Sequence, residues 1–96
     1  MRTISMPDPA PCDVVVSRAG HDAGRLYLVV AAREGRLLLC DGRLRRLANP
    51  KCKSPRHVRV VFRGSEEPGS DRAIRLTLAQ AAMDAAAKEE LLLGER

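Results

Sequence analysis

The sequence predicts a mainly β fold, a small five-stranded barrel followed by a C-terminal α-helix. Five short runs rich in Val and Leu, separated by Gly, Asp or Pro, lie between residues 13 and 62 and are typical of strands. An Ala-rich run over residues 71 to 93 is typical of a helix. The 96 residues suffice for one small domain. Closure into a barrel would remove the exposed edges that five short strands leave in an open sheet.

The first two strands are predicted on either side of a glycine-containing turn. They are DVVVSR, residues 13 to 18, and RLYLVVAAR, residues 25 to 33. In the intervening AGHDAG, Gly20 and Gly24 can take a positive φ, and the Asp22 carboxylate can hydrogen-bond its own backbone. Alternation along the second strand places four apolar residues on one face: Leu26, Leu28, Val30 and Ala32.

Two further turns are predicted to extend the meander. Glu34-Gly35 reverses the chain into RLLLC, residues 36 to 40, and Asp41-Gly42 reverses it into RLRRL, residues 43 to 47. An Asp-Gly pair between apolar runs is a hairpin signal, because a type I′ turn needs a positive φ at both central residues. We therefore predict that Asp41 and Gly42 are structural turn residues.

The fifth strand is predicted at HVRVVF, residues 57 to 62, after a connection over residues 48 to 55 whose two prolines cannot join a central ladder. Alternation in this strand places Val58, Val60 and Phe62 inward and Arg59 outward.

The remaining segments have compositions unlike the strands. Residues 1 to 11 are predicted to be a flexible N-terminal lead, residues 12 to 63 the barrel, residues 64 to 70 a linker, and residues 71 to 93 a helix capped by Ser70. An alternative is a sixth strand around residues 74 to 78 before a helix capped by Thr77 and Gln80. The predicted helix has a modest apolar stripe of Ile74, Leu78, Ala82 and Ala85.

Four roles for the C-terminal helix remain open at this point. It can pack on the barrel, dimerise, dock on a partner, or screen the basic surface with acidic residues of the linker and helix. Those acidic residues are Glu66, Glu67, Glu89 and Glu90.

The net charge of +5 conceals an asymmetry along the chain. Residues 1 to 63 hold 13 Lys and Arg against 5 Asp and Glu, whereas residues 64 to 96 hold 4 against 7. A basic body attracts polyanions at long range, and RNA is the commonest cytoplasmic polyanion. We therefore predict an RNA partner rather than a membrane surface.

The segment VVVSRAGHDAGRLYLVV, residues 14 to 30, resembles the KOW motif, with a strand, a Ser, a turn closed by Gly24 and a second strand. With LLLCDGRLRRLANPKCKSPRHV, residues 37 to 58, it is similar to small bacterial KOW-domain RNA-binding proteins, which are related to KOW-containing large-subunit ribosomal proteins of archaea and eukaryotes. The resemblance covers about residues 13 to 60. It implies an SH3-like barrel that binds RNA, ribosomal RNA in this branch, or that binds a protein surface in the transcription elongation branch.

The candidate RNA-binding residues are basic side chains of the first turn and of the segment that follows the third strand. They are Arg18, His21, Arg25, Arg43, Arg45, Arg46, Lys51, Lys53, Arg56 and Arg59. Lys supplies a point charge to phosphate, and Arg can bind phosphate through two parallel hydrogen bonds. With only Tyr27 and Phe62 as aromatic residues, structured RNA is favoured over stacked single strands. The alternatives are a solvated charged face and a protein-interaction module that docks on transcription or translation machinery.

Other function classes have little support in the sequence. Neither His21 nor His57 has a nucleophile at a recognisable spacing, so we predict a protein that is not an enzyme and has no small-molecule substrate or cofactor. The three cysteines lack the paired spacing of a zinc site, and Cys40 is expected to behave as a small apolar strand residue. Reduced thiols and the absence of an apolar leader in MRTISMPDPAPC favour the cytoplasm.

Overall fold

The computed structural model describes residues 8 to 94, and side chains as far as residue 85. Its described elements are β1 (Val14–Ser17), β2 (Leu26–Arg33), β3 (Arg36–Cys40), β4 (Lys51–Lys53), a short 3-10 turn at Pro55–His57, β5 (Val58–Phe62) and α1 (Asp71–Gly94). The strands form a single antiparallel sheet in the order β4-β3-β2-β1-β5, so that β4 and β5 are its two edges. The mainly β fold with a C-terminal helix is confirmed, and the hydrogen-bonded sheet is open.

Apolar side chains cover both faces of the sheet. On one face, the buried side chains of β1, β2 and β3 pack against α1. On the other face, the buried side chains of the sheet pack against one another, from β3 across to β5. The helix-facing cluster is Val14, Leu28, Cys40, Ile74, Leu78 and Ala81. The opposite cluster is Val15, Tyr27, Val29, Leu37, Leu39 and Val58.

The first two predicted turns are present. Gly20 and Gly24 have φ values of 89° and 92° in the turn between β1 and β2. Glu34 and Gly35 both have positive φ, 49° and 76°, as a tight turn between β2 and β3 requires. The predicted face of β2 is also confirmed for Leu28, which lies in the helix-facing cluster. Leu26 and Val30 pack against that cluster, whereas Ala32 is exposed.

The fourth strand was predicted in the wrong place, at residues 43 to 47. The Asp41 carboxylate accepts hydrogen bonds from the backbone N–H groups of Arg43, at 2.9 Å, and Arg45, at 2.8 Å. Gly42 has a φ of 80°, but Asp41 lacks the positive φ that a type I′ turn needs. The aspartate thus folds residues 41 to 45 into a loop, and the strand that pairs with β3 is Lys51–Lys53, inside the predicted connection.

The prediction that Phe62 points inward is also wrong, because the pairing of β5 with β1 contains a bulge. Val15 pairs with Val60, whereas Val14 pairs with Phe62, so Val61 is an additional residue. The bulge breaks the alternation of the strand and leaves Phe62 46% exposed, in a shallow groove that it shares with Leu76 of α1.

The helix begins where the sequence predicts. The Ser70 hydroxyl accepts a hydrogen bond from the Ala73 N–H at 3.1 Å, so Ser70 is the cap and a sixth strand over residues 74 to 78 is excluded. The buried stripe is Ile74, Leu78 and Ala81, whereas Ala82 and Ala85 of the predicted stripe are exposed. Packing on the sheet is therefore the role observed for α1. The side chains of Glu89 and Glu90, and residues 1 to 7 of the predicted lead, lie outside the described residues.

Candidate nucleic-acid interface

The buried carboxylate of Asp22 connects the turn between β1 and β2 with β2 and β4. One oxygen accepts hydrogen bonds from the Ser17 hydroxyl at 2.8 Å and the Lys53 ammonium at 3.0 Å. The other oxygen accepts one from the Tyr27 hydroxyl at 2.8 Å and lies 3.4 Å from the Lys51 ammonium. Asp22 is 8% exposed, so its charge is neutralised inside the protein rather than by water.

The environment of Asp22 shifts the pKa of both acidic groups in this network. Burial alone would raise the pKa of Asp22, but the hydrogen bonds from Ser17, Tyr27 and Lys53 and the charge of Lys53 outweigh burial and hold it well below its usual value. Burial, then the hydrogen bond to the Asp22 carboxylate and its negative charge, raises the pKa of Tyr27 to about 12. The pair is therefore a carboxylate and a neutral phenol at neutral pH.

Lys53 differs from the other predicted RNA-binding residues, because its ammonium is occupied within the protein. It donates hydrogen bonds to the Ala19 carbonyl at 3.1 Å and to Asp22, and its side chain is only 11% exposed. Its position thus favours a structural role, in which β4 is attached to the turn between β1 and β2. Lys51, on the same strand, is 29% exposed and retains access to solvent.

Four of the predicted residues converge on one groove, although they come from three separate segments. His21 and Arg25 belong to the turn between β1 and β2, Arg45 to the loop after β3, and Lys51 to β4. The groove has a volume of about 200 Å³ and also borders Asp22, Tyr27, Asp41 and Leu44. We define these four residues, His21, Arg25, Arg45 and Lys51, as the basic groove.

Three other predicted residues line a separate concavity along β5. Arg18, Arg56 and Arg59 surround a groove of about 420 Å³ whose apolar lining includes Val58 and Val60. The end of β1 is attached there, because the Arg18 N–H donates to the His57 carbonyl at 2.8 Å. The predicted cluster therefore divides into two surfaces that share no lining residue.

The last two predicted residues, Arg43 and Arg46, are exposed on the loop after β3. The Arg46 Nε donates to the Arg43 carbonyl at 3.3 Å, within the loop. The helix contacts the same loop, since the Leu47 N–H donates to an Asp71 carboxylate oxygen at 2.8 Å. Both arginines therefore belong to the loop that contributes Arg45 to the basic groove, but neither lines the groove itself.

Sequence reasoning missed the residues that hold these surfaces in place. The sequence predicts that the Asp22 carboxylate hydrogen-bonds only within its own turn. A weak signal of its wider role is that Ser17 and Tyr27, five residues before and after it, both carry hydroxyl groups that donate to it. The Arg75 guanidinium donates to the Gly42 carbonyl at 2.8 Å, a contact that no local pattern predicts. The Arg63 guanidinium donates to the Asp13 carboxylate at 2.6 Å.

The thiols take positions that differ in exposure. Cys40 is fully buried in the helix-facing cluster, as expected of a small apolar strand residue. Burial, assisted by the charges of Asp71 and Asp41, raises the pKa of Cys40 to about 11. Cys12 is buried and Cys52 is exposed. Among the described residues, no three His, Cys, Asp or Glu side chains are grouped as metal ligands.

No protein-family model matches the chain, and no curated protein matches it significantly. The described part of the chain contains no helix with the length and hydrophobicity needed to cross a membrane.

Proposed function

We propose that the protein is a non-catalytic RNA-binding module of the cytoplasm that contacts ribosomal or other structured RNA through its phosphates. The observation that carries this proposal is the basic groove, where three cationic side chains and a histidine from three segments meet. The spacing of these residues in the sequence does not by itself bring them together, so their meeting depends on the fold. Cations gathered in one concavity focus a positive potential that attracts a phosphate backbone.

The neighbouring carboxylates offset only part of this potential. Asp22 pairs with Lys53 at 3.0 Å and also lies 3.4 Å from Lys51, so its single negative charge is shared between two lysines. Asp41 uses one oxygen to bind two N–H groups of its own loop. Arg25 and Arg45 can each hold a phosphate through two parallel hydrogen bonds, whereas Lys51 acts as a point charge.

Structured RNA is favoured because the groove presents no exposed Phe, Tyr or Trp ring on which a base could stack. Tyr27 borders the groove but is only 3% exposed, and its hydroxyl is bonded to Asp22. Phe62, the other aromatic residue of the chain, lies beside α1 instead. Binding would then rest on phosphate contacts and RNA shape, as it does for double-stranded RNA.

The path of the chain supports an SH3-like barrel of the KOW type as the underlying fold. In a flat five-stranded sheet, the two edge strands would lie about 19 Å apart. The connection from Lys53 to Val58 passes through the 3-10 turn and can reach only about 14 Å. A strongly curled sheet would bring β4 and β5 within reach of this connection. In such a sheet, the Asp22–Lys53 contact at 3.0 Å would attach β4 to the turn between β1 and β2.

A second candidate function is a protein-interaction module that docks on transcription or translation machinery. The observation that favours it is the arginine-lined groove beside β5, because β5 is an edge strand of the sheet and Val58 and Val60 provide an apolar floor. An extended peptide can add to such an edge.

Charge reversal in the basic groove tests the RNA proposal. We expect R25E/R45E to weaken binding to a structured ribosomal RNA fragment by more than about tenfold and to lower the slope of log affinity against log salt by about two. The matched control is R33E/R36E, which changes the charge equally at the exposed turn between β2 and β3. Gel shifts across a salt series measure both quantities.

Equal losses in the two double variants would show that net charge alone drives binding and would contradict the groove as the site. Wild-type affinity that does not change with salt would contradict phosphate binding altogether. If R25E/R45E loses RNA but still co-sediments with ribosomes or polymerase, the protein-interaction function is favoured instead.

A further inference from the structure

We propose that the first turns of α1 hold the loop after β3 in the shape that presents its arginines to RNA, and that Asp71 is the main positioning residue. We define this loop as residues 41 to 47. The inference rests on the proposed function and deepens it, because it names a residue outside the basic groove that sets the affinity of that groove.

The loop has no strand partner in the sheet, so its shape depends on other contacts. Within it, the Asp41 carboxylate binds the N–H groups of Arg43 and Arg45. The Arg45 carbonyl in turn accepts from the N–H groups of Asp41 and Gly42, at 2.9 and 3.0 Å. These bonds close residues 41 to 45 on themselves but do not attach the loop to the rest of the molecule.

Both ends of the loop are attached to the beginning of α1. At one end, Arg75 donates to the Gly42 carbonyl at 2.8 Å. At the other end, the Leu47 N–H donates to the Asp71 carboxylate at 2.8 Å. Gly42 also lies so close that a Cβ there would be 2.5 Å from the Asp71 carbonyl oxygen. Because Ile74 anchors the same turns in the helix-facing cluster, the helix supplies a fixed support.

This support has a consequence for the basic groove. Arg45 lies between the two attached ends and lines the groove opposite segments that belong to other elements. A loop without the attachments would have to be ordered when RNA binds, and that ordering reduces affinity. Preorganisation by α1 therefore strengthens RNA binding.

The sign of the effect separates positioning from simple electrostatics. Asp71 is an acidic residue beside a basic loop. If it acted on RNA binding through its charge alone, Asp71 would weaken binding, and both D71A and D71N would tighten it. If Asp71 acts by holding Leu47, D71A should weaken binding, whereas D71N should not, because its amide oxygen can still accept the Leu47 N–H.

The test measures the affinity of full-length D71A, D71N and S70A for the structured RNA fragment. S70A is the matched control, because it removes the helix cap at Ala73 without touching the loop. We expect about fivefold weaker binding by D71A, with D71N and S70A at or above wild-type affinity. Hydrogen exchange at the Leu47 amide should accelerate in D71A alone.

The possible results separate this inference from the proposed function. Binding by D71A as tight as that by D71N overturns the inference and leaves the RNA-binding proposal intact. No binding by the wild type overturns the proposed function and the inference with it. If circular dichroism shows that D71A loses its helix, the comparison of R75Q with R72Q replaces it. Each variant loses one positive charge, but only R75Q removes the hydrogen bond to the Gly42 carbonyl, since Arg72 is exposed. Equal RNA affinities of R75Q and R72Q would overturn the inference.

Discussion

The carboxylate of Asp22 shows how one buried charge can organise a small protein. It accepts from Ser17 and Tyr27 and pairs with Lys53, so it joins both sides of a turn to the edge strand β4. A buried ion pair contributes little over an apolar alternative, but removal of one partner leaves the other charged and desolvated. Asp22 and Lys53 therefore depend on each other.

Replacement of Asp22 tests this dependence. We expect D22N to lower the free energy of unfolding by about 3 kcal/mol, because Lys53 remains buried without an anion. Y27F removes only the hydroxyl that donates to Asp22 and should cost about 1 kcal/mol. Urea unfolding of both variants measures the difference, and a D22N cost no larger than that of Y27F would contradict the role of the ion pair.

The low pKa of Asp22 also predicts how stability changes with acid. The pKa of an Asp in the unfolded chain is about 3.9, and the pKa of Asp22 in the folded protein lies well below that value. The contribution of Asp22 is therefore complete above about pH 5 and is lost as the pH falls towards the folded pKa. Unfolding free energies from pH 7 to pH 2 should decline less steeply for D22N than for the wild type. Parallel curves would contradict this assignment.

At the scale of elements, the loop after β3 is where local pattern and observed structure diverge most. Asp41-Gly42 has the composition of a hairpin turn, yet the Asp41 carboxylate folds the backbone back on itself. Gly42 is required there for two reasons, a φ of 80° and the close approach of α1.

Substitution of glycines separates these two reasons. Gly24 also has a positive φ, 92°, but nothing lies within 4 Å of a Cβ built on it. G24A should therefore cost about 1 kcal/mol for backbone strain alone. We expect G42A to cost at least about twice as much, because its methyl group would displace α1. Thermal unfolding measures both, and equal costs would show that the approach of the helix imposes no constraint.

At the scale of the whole molecule, the sheet has two apolar faces, and α1 covers one of them. α1 covers Val14, Leu28 and Cys40, and the second face packs within the sheet itself. The helix is consequently part of the folded core.

Two apolar residues of α1 allow this to be tested. Ile74 is fully buried, whereas Leu76, two residues later, is 60% exposed. I74A should lower the free energy of unfolding by about 3 kcal/mol, because it leaves a cavity between α1 and the sheet. L76A should change it by less than about 0.5 kcal/mol. Denaturant unfolding followed by circular dichroism checks both values, and similar costs would contradict docking through Ile74.

Much of the secondary structure could be predicted from the sequence, because it depends on neighbouring residues. The apolar runs of β1, β2 and β3, the Glu34-Gly35 turn and the Ser70 cap are confirmed at or within one residue of the predicted positions. Phe62 was misplaced because a bulge depends on the pairing with another strand, which the alternation within a strand does not reveal.

The sequence by itself determined the charge of the protein, the places where the chain can turn, and the set of basic residues from which an RNA site could be built. Only the tertiary structure decided which of them meet. It gathers His21, Arg25, Arg45 and Lys51 in one groove, separates Arg18, Arg56 and Arg59 along β5, and uses Lys53 internally. The physical reason is that burial and convergence depend on contacts between distant segments, and folding decides whether a charged side chain stays accessible to a ligand, as Lys51 does, or is enclosed by its partners, as Lys53 is.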